Sequence, residues 1–149
     1  MKKKNFITAF LLILAVSFSS CEDRRCISFT HITKCEAGRC YPEGFEKVIT
    51  SQEEWDYFIS PCISPSFEMK IDIDFDRYLV IAVFDKPRPS GNWRMSITRI
   101  KEYSNRIEVV VTIGNPKVLN TLGFIHSYHI VKIPATRKDI IFKYNYKTA

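Results

Sequence analysis

A chain of 149 residues, 46% of them hydrophobic, supports one domain built around one hydrophobic core. Its formal charge is +6, yet three of its lysines lie among the first four residues. Without them the charge is +3, which favours no particular partner.

Those first residues are the most legible part of the chain. Lys2, Lys3 and Lys4 precede an apolar run over residues 6–16, then Ser17, Ser19 and Ser20, then Cys21. A basic stretch, a short apolar stretch and small residues predict a secretory signal over 1–20. The run is too short for a membrane-spanning helix, which needs about 20 apolar residues. Cys21 directly after the small residues resembles the lipobox of bacterial lipoproteins, with Phe18 where Leu is usual. The resemblance implies lipidation of the Cys21 thiol, cleavage before it, and a mature chain of 129 residues anchored by acyl chains. By the sorting rule of that class, Glu22 rather than Asp implies the outer membrane. Glu22 and Asp23 also resemble the acidic tether of surface-exposed lipoproteins, and Arg24 and Arg25 interrupt it, so the periplasmic and cell-surface faces both stay open. A place outside the cytoplasm argues against nucleic acid as a partner.

With Cys21 lipidated, Cys26, Cys35, Cys40 and Cys62 remain. An even number in an oxidising compartment predicts two disulfides, with three connectivities open. A four-thiolate zinc site is the competing reading, but no C-x2-C pair is present, and no metal is expected. Residues 21–45, with Gly38, Pro42 and Gly44, read as a Cys-rich tether.

The periodic domain spans 46–147. Ser51 followed by Glu54 fits a capping box, and Trp55, Phe58 and Ile59 share one helical face, predicting a helix over 52–60 ended by Pro61. Asp72, Asp74 and Asp76 alternate with Ile73 and Phe75. They lack the Gly and Glu of a calcium loop and predict a strand with a charged outer face. Tyr78–Phe84 is unbroken apolar sequence, suited to a strand buried on both faces. Trp93, Met95 and Ile97 alternate with polar residues, as do Ile107, Val109, Val111 and Ile113. Ser104 and Asn105 between them read as a hairpin turn. Tyr128, Ile130 and Lys132 alternate with His129, Val131 and Ile133, and Ile140, Phe142, Tyr144 and Tyr146 close the chain. The predicted class is mainly antiparallel β, as a sandwich or a single sheet, with one short N-terminal helix.

Two long irregular stretches, 85–92 and 115–127, are the natural places for binding. In the first, Arg88, Pro89, Ser90, Gly91, Asn92 and Trp93 form the best partner-binding candidate. Two prolines at 87 and 89 stiffen it, and Arg and Trp are frequent interface anchors. The plainer alternative is a turn whose Trp93 packs in the core. His126 and His129 lie three apart, so on one strand they face opposite ways, and His31 is distant in sequence. Ser90 lacks the strand-Gly-x-Ser-x-Gly-helix setting of a hydrolase nucleophile. Arg94, Arg99, Lys101 and Arg106 read as solvated strand faces. No catalytic set and no cofactor site is expected.

Four segments in order carry a resemblance: 48–55 (VITSQEEW), 73–84 with Ile73-Asp74-Phe75, 88–93 (RPSGNW) and 127–134 (SYHIVKIP). Together they resemble the C-terminal domain of the protease-complex lipoprotein family called PrcB, over about residues 46–145. The third block usually reads Arg-Pro-Thr-Gly-Gly-Tyr there, and the last Pro-Tyr-His-Ile-Val-Lys-Ile-Pro. This chain departs at Ser90, Asn92, Trp93 and Ser127. The resemblance implies a lipoprotein that binds other proteins, with a surface protease complex as precedent, and no catalysis. Residues 89–93 are also similar to the cleft-entering loop of chagasin-type cysteine protease inhibitors, which implies an inhibitor as the alternative.

Overall fold

The structure, a computed structural model, describes residues 25–35, 43–59, 72–90, 93–115 and 122–148, except for the side chains of 34–35, 89–90, 115, 122–125 and 148. The signal segment, Cys21, Cys40, Pro61, Cys62, Gly91 and Asn92 lie outside the described residues.

The chain is mainly β, with ten strands and one helix among the described residues. In order they are β1 (Arg25–Cys26), β2 (Thr30–Cys35), β3 (Phe45–Ile49), α1 (Gln52–Ile59), β4 (Tyr78–Phe84), β5 (Arg88–Ser90), β6 (Arg94–Glu102), β7 (Arg106–Asn115), β8 (Leu122–Ile125), β9 (Tyr128–Pro134) and β10 (Asp139–Thr148). Sheet A runs β1-β6-β7-β10, sheet B runs β2-β9-β4-β3, and β5 pairs with β8 in a small ribbon. All pairs are antiparallel except β7 with β10. That exception follows from the path of the chain: β9, a strand of sheet B, intervenes between the two and reverses the direction once more.

Alternation decides what each sheet buries. Met95 and Ile97 of β6 and Ile107, Val109, Val111 and Ile113 of β7 share one apolar cluster with Leu79, Ile81 and Val83 of β4 and Val131 and Ile133 of β9. Side chains from both sheets therefore fill one core. Each fully buried side chain of this kind contributes about 1.5–3 kcal/mol. The other residues of β4, namely Val80, Ala82 and Phe84, join Ile130 against Trp55, Phe58 and Ile59 of α1. Thus β4 is buried on both faces, as its unbroken apolar sequence requires. The hairpin at Ser104 and Asn105 closes with the Tyr103 amide donating to the Arg106 carbonyl at 2.8 Å. At the helix start, Glu54 N–H donates to Ser51 Oγ (3.2 Å) while the Glu54 carboxylate accepts from Thr50 N–H (2.9 Å). That backbone donor holds the Glu54 carboxyl below its usual range.

Several expectations need correction. The helix is not N-terminal: three strands precede it. Within the 21–45 segment, expected as a Cys-rich tether, β1 joins sheet A, β2 joins sheet B, and Ile27 and Phe29 between them pack against the core. The aspartate run is not a strand. Asp74 makes a turn there, its carbonyl accepting from Arg77 and Tyr78 and its side chain from the Asp76 amide. Cys26 lies exposed on β1, opposite Lys101, while the Cys35 side chain, Cys40 and Cys62, its candidate disulfide partners, lie outside the described residues. Among the described residues no helix is long and apolar enough to cross a membrane.

Candidate functional site

The two stretches expected to bind partners are not independent loops. Strand β5 lies in the first and β8 in the second, and they pair with Arg88 opposite Ile125 and Ser90 opposite Leu122. The base of this ribbon is tied down at three points. Asp85 N–H donates to the Ser127 carbonyl (2.8 Å), and Ser127 Oγ donates to the Trp93 carbonyl (3.2 Å). Gly44 passes so close that a β-carbon there would meet the Lys86 nitrogen at 3.0 Å and the Phe84 oxygen at 3.2 Å. Those are backbone atoms that cannot rotate away, so only glycine fits without moving the start of the loop.

Arg88 organises the interior of the segment. Its Nε donates to Asp85 Oδ2 and its Nη2 to Asp85 Oδ1, both at 2.9 Å, a two-pronged match of guanidinium to carboxylate. The side chains of Arg88 and Asp85 are only 12% and 5% exposed. On its other side the guanidinium lies 4.4 Å from the centre of the Trp93 ring. The Asp85 hydrogen bonds raise the Arg88 pKa further above its already high value, with Tyr146 of β10 adding to the effect. Arg88 and Trp93, singled out as anchors for a partner, therefore hold each other. Trp93 also packs partly against the core. Pro89 and Ser90 lie on β5 with side chains outside the described residues, as are Gly91 and Asn92 altogether.

Tyr144 of β10 donates its hydroxyl to Glu46 Oε2 of β3 at 2.7 Å, which joins the edges of the two sheets. Burial and the neighbouring Glu46 carboxylate both push the Tyr144 pKa well up.

The histidines follow a different arrangement from the one expected. His129 is 1% exposed, and its Nε2 lies 2.7 Å from Nδ1 of His31 on the neighbouring strand β2. With centroids 4.8 Å apart and planes 17° from parallel, the rings make an in-plane hydrogen bond rather than a stack. His129 Nδ1 accepts the Ile97 N–H at 2.8 Å, from β6 of the other sheet. An N–H can only donate, so Nδ1 holds a lone pair and neutral His129 carries its proton on Nε2, directed at His31. His126 is half-buried. Among the described residues no three His, Cys, Asp or Glu side chains gather as a metal would require. The pairing of His31 with His129 had no sequence signal, since 98 residues separate them.

A second charged cluster lies on the outer face of sheet A. Glu108, 1% exposed, receives Lys101 Nζ at 3.0 Å on Oε1 and Lys143 Nζ at 2.6 Å on Oε2. The Lys143 ammonium, opposed by burial and helped by Lys101, holds the Glu108 carboxyl below its usual range. A carboxylate whose pKa is lowered on folding stabilises the protein above the unfolded-state value of about 4.3 and loses that contribution as pH falls. Glu108→Gln should therefore cost about 1 kcal/mol near neutral pH, discounted because Lys143 is largely solvated. Urea unfolding repeated from pH 7 down to pH ~3 should show the variant and the parent converging in acid.

No family model matches the chain, and no curated protein or solved structure is significantly similar to it.

Proposed function

We propose that this chain is a lipid-anchored, extracytoplasmic lipoprotein of the outer membrane whose β domain is a non-enzymatic protein-binding module. Its two sheets are read as the layers of a sandwich, with the β5–β8 ribbon presented at one end. Its partner is another extracytoplasmic protein, and by the PrcB resemblance a surface protease that it helps to assemble or stabilise. The observation that carries this reading is the clamp of Asp85, Arg88 and Trp93, which ties the described residues on either side of 91–92 to each other. A braced segment loses little conformational entropy on docking, so binding energy is not spent on ordering it. In this reading Arg88 positions the segment, and Ser90, Gly91 and Asn92 make the contact.

Two measurements test it together. Labelled palmitate should enter the protein in growing cells and be lost in Cys21→Ser. Crosslinking of the full-length protein in native membranes should capture a partner, lost in Asn92→Arg with the melting temperature unchanged. Palmitate labelling unaffected by Cys21→Ser removes the anchor, and capture unaffected by Asn92→Arg removes the ribbon as the contact. Slowed turnover of a papain-like protease by the purified protein would favour the chagasin-type alternative.

A further inference from the structure

The outer face of sheet A carries a feature that the ribbon does not need. On β7 every second residue faces outward, and past Arg106, whose guanidinium lies over Tyr103 at the hairpin end, these are Glu108, Val110, Thr112 and Gly114. Apart from Glu108 they are short and uncharged, and a β-carbon at Gly114 would meet nothing within 4 Å. The flanking strands are the reverse. β6 raises Arg99 and Lys101 on one side, and β10 raises Lys143 and Lys147 on the other. The result is a trough with a low floor and cationic walls about 10 Å apart, two strand spacings. A β-bulge between Ile97 and Arg99 produces it: the extra residue resets the alternation, so Arg99 and Lys101 point out while Ile97 and Ile100 both point in.

The four cations are not equivalent. Lys101 and Lys143 are committed to Glu108 on the floor. Arg99 and Lys147 are exposed and make no ion pair among the described residues. Arg99 is level with Val110 and Lys147 with Gly114. They are thus on opposite walls and about 13 Å apart along the floor strand, too far for one compact anion to reach both. Neutral hydrogen-bonding groups line the path between them. Thr98 and Thr112 pair their hydroxyls at 2.9 Å, and the Asn145 amide stands beside them. Because β7 is paired on both sides, the floor offers no free backbone to an extended peptide.

We propose that this trough binds a linear acidic polysaccharide, with its carboxylate or sulfate groups held by Arg99 and Lys147 and its hydroxyls met by Thr98, Thr112 and Asn145. Charge complementarity selects a polyanion, the spacing selects a chain over a single phosphate, and the recessed floor selects a strand-like ligand over a flat membrane. The site is independent of the β5–β8 ribbon.

The full-length protein in detergent should bind polygalacturonate and heparin oligosaccharides, and bind neutral dextran of equal length not at all. Affinity should fall as salt is raised through about 0.15 M. The double variant Arg99→Gln with Lys147→Gln should weaken binding about tenfold, the sum of two exposed charge contacts. Arg137→Gln, an exposed cation that does not line the trough, should leave it unchanged. Failure of both acidic oligosaccharides to bind would overturn the proposal. So would equal loss in the Arg137 variant, or binding to phosphatidylglycerol vesicles without binding to either oligosaccharide.

Discussion

Replacing Arg88 with alanine should destabilise the protein by about 3–5 kcal/mol, one of the two largest losses expected from a single substitution here. The loss does not come from the attraction between Arg88 and Asp85 alone. Asp85 is 5% exposed at its side chain and is held by its backbone to Ser127, so it cannot swing into solvent when its partner goes. A carboxylate left buried without a counter-charge bears its full desolvation cost. Arg88→Lys should recover only part of the loss, because an ammonium cannot fill the two-pronged geometry or lie flat on Trp93. The double variant Asp85→Asn with Arg88→Gln should be more stable than Arg88→Ala, since no unpaired charge remains. Urea unfolding of the three variants measures this directly. A cost for Arg88→Ala below about 1 kcal/mol would mean that Asp85 is reached by water, and that the clamp is not what braces the ribbon.

His129→Leu should cost about 2–4 kcal/mol although leucine nearly fills the same space. The imidazole hydrogen-bonds both sheets: it accepts from Ile97 of sheet A and meets His31 of sheet B. Leucine strands the buried Ile97 N–H. Asparagine and glutamine separate the two bonds, because the Asn oxygen stands near the Nδ1 position and the Gln head group near Nε2. His129→Asn should therefore keep more stability than His129→Gln. Nitrogen-detected NMR of the parent should show His129 protonated at Nε2 and bare at Nδ1. The opposite tautomer would contradict the Ile97 bond.

Much of the architecture was written locally. The capping pair Ser51 and Glu54, the helical spacing of Trp55, Phe58 and Ile59, and the turn at Ser104 and Asn105 all act within a few residues. The unbroken apolar run of β4 likewise announced burial on both faces. The alternation of Trp93, Met95 and Ile97 did not reveal the bulge: only the structure shows that Ile97 and Ile100, three apart, both face the core. The strand expected at Asp72 to Asp76 failed because an Asx-type turn competes with sheet pairing through the same aspartate oxygens.

What chain order and chemistry determined by themselves were the leader-like start, the β class and the position of most strands, because periodicity and turn residues are short-range signals. The binding reading of Arg88 and Trp93 was also available there, but only as residue types suited to an interface. Tertiary structure alone decided that these two side chains hold each other, that the two irregular stretches zip into one ribbon, and that β1 and β2 belong to the sheets. It also brought His31 to His129 and gathered the cations of β6 and β10 around Glu108. Each of these rests on contacts between residues far apart in the chain, whose pairing depends on strand register and on which sheet each strand joins. No local propensity encodes that choice; it is made by the shared core.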